Sequence, residues 1–154
     1  MKTLTFKPGG SHLEGFKRKT ENLPIENMYD PPKVIIPLLQ HTGLPAVPIV
    51  KVGDHVRIGQ KIGEAKGDFS VPVHSSISGE VTSVTSNAIT IKNDNLSEWF
   101  TENKEGKNLY EKEELLNEIK EAGIVGLGGA CFPTHVKLNP PQEAQIDTLI
   151  INGA

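Results

Sequence analysis

Short apolar runs alternate with polar positions between residues 33 and 92, and turn-forming pairs separate the runs. These pairs are Gly53-Asp54, Gly59-Gln60, Ser78-Gly79 and Ser86-Asn87. Apolar residues at every second position predict strands with one buried face, and turn residues at this spacing predict that each strand is short. The pattern therefore predicts a small β barrel or sandwich, whose strands come from the runs at 49–52, 55–58, 59–65, 70–84 and 88–92.

A helical pattern follows at residues 109–122. The apolar residues on its predicted inner face are Leu115, Leu116, Ile119 and Ala122. Asn108 and Glu111 have the spacing of a helix cap pair, and Gly123 is placed to end the helix. The β-branched and apolar run at 148–151 then predicts a strand at 147–152 that is buried on both faces, as in the interior of an α/β sheet.

The remaining segments contain few apolar residues at regular spacing. Residues 1–32 predict an extended arm, because a Pro-Gly-Gly string and Pro24, Pro31 and Pro32 prevent long helices. Residues 93–108 are polar apart from Trp99 and Phe100. They predict a linker between the β strands and the helix, and we expect the two aromatic side chains to hold this linker in place by packing.

Charge and hydropathy exclude several classes of function. The 154 residues carry a net charge of −3, which gives no sign of a nucleic-acid partner, and the short basic cluster at 17–19 is typical of a solvated face. No stretch offers the roughly 18 unbroken apolar residues that a membrane span needs, and the amino end has no apolar signal core. We expect any membrane attachment to come through partner proteins.

Metal chemistry has few candidate ligands in this sequence. The single cysteine, Cys131, excludes an internal disulfide and cannot supply the four thiolates of a cubane iron–sulfur cluster. His41, His55, His74 and His135 form no pair at metal-ligand spacing on a predicted helix. We therefore interpret the histidines as turn and packing residues and predict no metal site in this chain.

The string GLGGACFPTHVKL at 126–138 has three glycines in its first four positions. Such glycines let the backbone adopt positive φ and approach a ligand closely. The string is not a P-loop, because Val136 precedes Lys137, and it lacks the third glycine of a dinucleotide fingerprint, because Cys131 stands there. It predicts a ligand-binding loop, although a helix-ending turn also explains Gly123 and Gly126.

This string, together with TLIINGA at 148–154, resembles the flavin-binding segment of RnfC, the peripheral subunit of the Rnf electron-transport complex. A related segment occurs in the flavin subunit of respiratory complex I, which has an arginine where this chain has Leu127. That difference favours the Rnf branch. The strings at 9–17, 40–56 and 70–81 also resemble RnfC.

The resemblance implies an α+β fold class. Residues 33–92 would form a barrel-sandwich hybrid like that of biotinyl and lipoyl carrier domains, and residues 109–154 would begin an α/β domain that binds FMN and NADH. Carrier domains present a modified lysine on one hairpin, but Lys66 lies two positions away from that place and Asp68 occupies it. We expect an unmodified module, and a chain that is the truncated amino-terminal part of a longer protein.

The resemblance also implies a function. The family oxidises NADH through FMN and two 4Fe-4S clusters, couples this to ion translocation, and lies on the cytoplasmic face of the inner membrane with other subunits of its complex. No residue is predicted to be catalytic. Phe132 would contact NADH, and the predicted FMN contacts are Gly126, Gly128, Gly129, Ala130, Lys137 and Asn152.

Two other functions stay open on the sequence alone. The barrel could be a non-catalytic interaction module that docks a redox complex, or the chain could be related to the barrel-bearing subunit of the sodium-translocating quinone reductase. We expect the 154-residue chain to be inactive by itself and to bind FMN weakly or not at all, and we expect a chain extended through the next domain to hold it.

Overall fold

The computed structural model describes residues 15–101, 111–141, 143–148 and 150. Within these residues the chain forms seven strands, two α-helices and one short 3-10 helix at Lys17–Lys19. The strands are β1 (Lys33–Pro37), β2 (Val47–Pro48), β3 (His55–Val56), β4 (Lys61–Glu64), β5 (Val73–His74), β6 (Gly79–Val84) and β7 (Ala88–Asn93). The helices are α1 (Lys112–Glu121) and α2 (Thr134–Lys137).

The strands form two antiparallel sheets. One sheet has four strands in the order β1-β7-β6-β3, and the other has three in the order β2-β4-β5. The chain crosses between the sheets repeatedly, as the barrel-sandwich hybrid prediction requires. The β6-β7 pair is a hairpin, in which the Thr85 N–H donates to the Ala88 carbonyl at 3.0 Å.

One hydrophobic core fills the space between the two sheets. Period-two alternation places Val81 on β6 and Ile89 and Ile91 on β7 toward this core, and all three are fully buried. The other buried members are Ile36, Leu38, Ala46, Val56, Ile62 and Val73. Burying side chains of this size contributes about 1.5–3 kcal/mol each, so the module has a core of its own.

The predicted turns at Gly53-Asp54, Gly59-Gln60 and Ser86-Asn87 are present, but the turn predicted at Ser78-Gly79 is wrong, because Gly79 is the first residue of β6 and pairs with Val56 and Asn93. The second strand is also not where the pattern placed it. Gly53 and Gly59 both have positive φ, as turn glycines do. The run at 49–52 forms no strand; β2 is Val47–Pro48 instead, paired with β4. Pro48 is compatible with this place because β2 is an edge strand, where one side needs no backbone donor.

The segments on either side of the module contact it by hydrogen bonds. Residues 15–30 are exposed, and the arm joins the module where the Asn93 side-chain amide donates to the Pro31 carbonyl at 2.9 Å. After β7, the chain pairs with Ile58, whose N–H donates to the Glu98 carbonyl at 2.8 Å and whose carbonyl accepts from the Phe100 N–H at 2.9 Å.

Helix α1 begins later than predicted. Glu111 is its N-cap, and Glu114 completes the capping box. The sequence predicted instead that Glu111 pairs with Asn108 at the cap; Asn108 lies outside the described residues. Glutamate at both positions of the capping box supplies the carboxylates that accept from the free N–H groups of the first turn. No residue of α1 is buried, so its apolar face is only partly covered.

The predicted strand at 147–152 is absent at the positions that the structure describes. Asp147, Thr148 and Ile150 have no strand conformation, and Ile150 is 88% exposed. A strand needs a hydrogen-bonded neighbour, and none of the described strands pairs with this segment. The buried interior strand is therefore wrong for these three residues.

Candidate functional site

The glycine string forms a closed loop between α1 and α2. The Gly126 N–H donates to the Phe132 carbonyl at 2.9 Å, and the Thr134 N–H donates to the Ile124 carbonyl at 3.1 Å. These bonds make a short antiparallel contact, with a bridge between Val125 and Pro133, that brings the two ends of the loop together. We call residues 126–132 the glycine loop.

The tip of the glycine loop presents backbone donors that have no partner among the described residues. In the part of the chain that the structure describes, the N–H groups of Leu127, Gly128, Gly129 and Ala130 donate no hydrogen bond. Leu127 is 98% exposed. A Cβ built at Gly128 or Gly129 would meet nothing within 4 Å. Successive free N–H groups beside open space can bind an anionic or carbonyl group.

The β module holds the glycine loop through Thr42. The Thr42 N–H and the Thr42 hydroxyl both donate to the Ala130 carbonyl, at 3.1 and 2.6 Å. One carbonyl with two donors is fully satisfied, so Ala130 points its oxygen at the module. This tether joins residues 88 positions apart in the sequence.

A second pair of contacts joins the β4-β5 connection to the loop and to α2. His135 donates from Nε2 to the Asp68 carbonyl at 2.9 Å, which leaves Nδ1 as the acceptor nitrogen. That Nδ1 atom is buried and has no hydrogen-bond partner among the described residues. Phe69 packs against Phe132 in an edge-to-face arrangement, with ring centroids 6.1 Å apart and planes at 75°.

The helix that precedes the loop is anchored by an ion pair. Lys61 of β4 contacts the carboxylate of Glu64 at 3.3 Å and also the carboxylate of Glu121, the last residue of α1. The hydrogen bond with Glu121 is the main reason that the pKa of Lys61 is raised above its ordinary value of 10.5. The pair lines a cavity of about 390 Å³ between β4 and α1.

A further cavity, of about 320 Å³, separates the glycine loop from the module. It is lined on the module side by His41, Pro72 and His74 and on the other side by Val125, Leu127 and Cys131. The cavity leaves the glycine loop and the module in incomplete contact at this place.

The structure brings most of the predicted contact residues together. Gly126, Gly128, Gly129, Ala130 and Phe132 share the glycine loop, and their neighbour in α2, Lys137, is exposed and forms no ion pair with any described residue. Asn152 lies outside the described residues.

Sequence reasoning missed the residues of the module that contact the loop. Thr42, Asp68 and Phe69 lie in connections between strands, where no periodic pattern marks them. His135 was interpreted as a turn or packing residue, and its single contact with Asp68 is consistent with packing. Long-range contacts of this kind leave no signal in the local sequence.

Metal-binding clusters and membrane-spanning helices are both absent from the part of the chain that the structure describes. The described residues contain no group of three or more His, Cys, Asp or Glu side chains arranged to hold a metal ion. None of the helices in these ranges is long and apolar enough to cross a bilayer.

Two protein-family models match this chain. Residues 4–103 match the RnfC barrel sandwich hybrid domain, and residues 119–154 match the Nuo51 FMN-binding domain. The first match contains all seven strands, and the second contains the glycine loop and α2. Both parts of the resemblance found in the sequence are therefore confirmed.

Three curated relatives belong to ion-translocating oxidoreductase complexes, and each is the C component of its complex. The protein from the proton-translocating ferredoxin:NAD(+) oxidoreductase complex of Clostridium ljungdahlii is 41% identical over 95% of this chain and 34% of its own length. The protein from the Na(+)-translocating ferredoxin:NAD(+) oxidoreductase complex of Acetobacterium woodii is 40% identical over 97% of this chain and 36% of its own length. The protein from the ion-translocating oxidoreductase complex of Rhodobacter capsulatus is 39% identical over 95% and 30%.

The chain spans about a third of the length of these relatives. The identity extends over nearly all of this chain, from the module through the glycine loop. The matched family model also covers residues 4–103, which is more than half of the chain. The chain belongs to the RnfC family.

Proposed function

We propose that this protein is the electron-input part of an Rnf-type complex, in which the glycine loop binds FMN and Phe132 contacts NADH. The observation that carries the proposal is the row of N–H groups from Leu127 to Ala130, which donate to none of the described residues and lie beside open space in a segment that matches an FMN-binding domain. Two of the relatives named above are subunits of ferredoxin:NAD(+) oxidoreductase complexes, so their names include the nicotinamide nucleotide that the proposal requires.

The residues of the loop fit a flavin nucleotide. Backbone N–H groups suit its phosphate and its carbonyl oxygens. Gly129 has a φ of 65°, which favours glycine, and because glycine has no side chain the tip of the loop stays open. Lys137 follows within one turn of helix and would offset phosphate charge. Gly126 closes the loop by its own hydrogen bond, so its role is to shape the loop, and Asn152 remains a predicted contact.

The chain contributes binding and position rather than redox chemistry. A bound flavin would supply the conversion between the hydride of NADH, which carries two electrons, and single-electron transfer. The loop residues orient the ring system, while the module fixes the loop through Thr42 and Phe69. One cysteine cannot hold a cubane cluster, so we propose that the two 4Fe-4S clusters have their ligands outside this sequence.

We further propose that the protein acts with other subunits of a membrane complex, on its cytoplasmic face. The relatives' names describe subunits of ion-translocating complexes, and NADH is a cytoplasmic reductant. The physical role of the module in such a complex would be to hold the loop at a fixed place relative to the subunits that receive the electrons.

Titration of the full-length protein with FMN, followed by quenching of flavin fluorescence, tests the proposal. Lys137→Ala should weaken FMN binding about ten- to hundredfold, because a charge-assisted hydrogen bond contributes about 1.5–3 kcal/mol. Gly129→Leu should abolish binding, because its side chain occupies the ligand's space and its backbone must keep a positive φ.

Matched controls separate the site from general damage. Lys112→Ala removes an exposed lysine from the start of α1. Gly53→Leu, like Gly129→Leu, forces a side chain into positive φ, but it does so in a turn of the module, where a Cβ also meets nothing within 4 Å. Both should retain FMN affinity within about twofold of the parent. Equal affinity in the parent, Lys137→Ala and Gly129→Leu would mean that the glycine loop is a structural turn.

A second candidate function has some support. The arm exposes large apolar side chains, namely Phe16, Leu23, Ile25, Met28 and Tyr29. Contiguous exposed apolar residues are typical of protein interaction segments. If the protein binds neither FMN nor NADH but still associates with other subunits, the interaction-module function replaces the electron-input function.

A further inference from the structure

An aromatic corner lies where the β module meets the glycine loop. Phe69, from the β4-β5 connection, and Phe132, at the end of the glycine loop, meet at 75° with centroids 6.1 Å apart. Both rings remain accessible, with Phe69 52% exposed and Phe132 37% exposed. Phe132 is already a predicted NADH contact, whereas Phe69 belongs to a different part of the fold.

The backbone around Phe69 is fixed. The Phe69 carbonyl accepts from the Leu44 N–H at 3.3 Å, and the fully buried Ser70 donates its hydroxyl to the Leu44 carbonyl at 3.0 Å. The Val71 N–H donates to Nε2 of the buried His41 at 3.3 Å, so the other ring nitrogen, Nδ1, carries the proton and donates to the Thr42 carbonyl.

Gly43 permits this arrangement. Its φ is +124°, and a Cβ there would lie 1.8 Å from the Phe69 carbonyl oxygen, so only glycine fits. The neighbouring Thr42 holds the Ala130 carbonyl. The same short connection, residues 41–44, therefore supports both sides of the aromatic corner.

Phe69 presents a half-exposed ring from a backbone that is fixed by hydrogen bonds. An apolar ring that is half in water loses part of its burial energy, and a rigid backbone prevents it from folding inward. The same features suit a binding residue, because a preorganised aromatic ring loses little entropy when a ligand stacks on it.

The angle between the rings determines which ligand fits. A flat ligand ring stacked on one phenylalanine stands nearly perpendicular to the other, so it gains a stacking contact and an edge-to-face contact at once. The N–H groups at 127–130, which donate to no residue in the described ranges, lie in the same loop, and the exposed Lys137 lies in the helix after it. Both suit the phosphates of a nucleotide.

We infer that Phe69 of the β module is a nucleotide-binding residue, and that it and Phe132 together receive a planar heteroaromatic ring of NADH. This inference rests on the proposed function, and it makes the module one wall of the nucleotide site. The nicotinamide and the adenine share the required planar chemistry, so the two are distinguished by experiment.

The test measures binding of NADH and of ADP-ribose, which has no nicotinamide, to the purified full-length protein by calorimetry. The variants are Phe69→Leu, Phe132→Leu and the double variant, with Tyr29→Leu in the exposed arm as the control. Each single variant should weaken NADH binding about tenfold, as expected for loss of one aromatic stack. The double variant should lose less than the product of the two, because both rings contact one ligand ring.

Parallel losses for ADP-ribose assign the ring to adenine, and losses confined to NADH assign it to nicotinamide. FMN affinity is measured separately and should stay within about twofold of the parent in Phe69→Leu. A parent protein that binds NADH but not FMN contradicts the proposed FMN site and leaves the inference about Phe69 standing. NADH affinity of Phe69→Leu within twofold of the parent overturns the inference, as does the absence of NADH and ADP-ribose binding to the unaltered protein.

Discussion

The β module and the glycine loop are stabilised in different ways. The module has a core of its own, in which Val81, Ile89 and Ile91 are fully buried between paired strands. Neither α1 nor α2 contains a buried residue, and the loop between them leaves four consecutive N–H groups unpaired among the described residues. The module is stable through burial, whereas the loop depends on a few contacts with the module.

This difference suits the two roles. A region that binds a nucleotide needs free donors and open space, and both reduce its own stability. The module compensates by supplying fixed points: Thr42 for the loop backbone, Phe69 for its aromatic residue and Lys61 for the helix that leads into it. Substitutions in the core should therefore unfold the protein, and substitutions at the fixed points should release only the loop.

The largest expected effect is a core substitution. Ile91→Ala on β7 removes a fully buried side chain between β1 and β6, and it should lower the free energy of unfolding by about 2–5 kcal/mol. Ile35→Ala, on the exposed face of β1, is the matched control and should change it by less than about 0.5 kcal/mol. Urea titration measures both; similar losses would show that the two faces of the sheet are equally buried in solution.

The next effect is at the connection that supports the loop. Gly43→Ala places a Cβ where the Phe69 carbonyl lies and forces a side chain into positive φ. We expect it to lower the free energy of unfolding by about 1–3 kcal/mol or more. Gly67→Ala also places a side chain at positive φ, but its Cβ meets nothing within 4 Å, so it should lose less. Equal unfolding midpoints for the two variants would contradict a close contact at Gly43.

The sequence predicted the features that local chemistry determines. The turns at Gly53 and Gly59 and the alternation through Ile89 and Ile91 follow from backbone conformation and period-two burial, and all are present. The strand at 49–52 was wrong, because an apolar run alone does not determine which residues pair across to β4.

The errors near the carboxyl end have a related cause. The run at 148–151 is as apolar as a buried strand, but Ile150 is exposed because the described residues give it no paired neighbour. The glycine loop was predictable because Gly128 and Gly129 are local signals. Its contacts with Thr42 and Phe69 were not, since they depend on how the whole module folds.

A smaller effect is expected at the backbone tether. Thr42→Val removes the hydroxyl that donates to the Ala130 carbonyl and keeps the size of the side chain, and one such bond contributes about 0.5–1.5 kcal/mol. Hydrogen exchange at the Gly126 N–H, which closes the loop, should become about two- to tenfold faster, while exchange in β7 stays unchanged. Thr42→Ser restores the hydroxyl and should restore protection; if it does not, the tether acts through packing.

The smallest effect is at the ion pair between the module and α1. Glu121→Gln removes the charge that contacts Lys61, and a partly exposed pair of this kind contributes about 0.2–1 kcal/mol. Glu98→Gln, which breaks the more exposed pair with Arg57, is the matched control and should have a smaller effect. Because surface pairs are screened by salt, the loss should shrink as ionic strength rises.

The pH dependence of this loss identifies Lys61 as the partner. Folding raises the pKa of Lys61 above 10.5, mainly through Glu121, so the folded protein holds the proton more tightly than the unfolded chain does. The stabilisation is complete below about pH 10.5 and is lost as the pH rises through the higher pKa of the folded state. The difference in unfolding free energy between the parent and Glu121→Gln should therefore be constant from about pH 7 to 9 and should decline in more alkaline solution. A difference that persists after Lys61 has lost its proton would show that Glu121 stabilises α1 by packing, and that the ion pair does not hold the helix to the module.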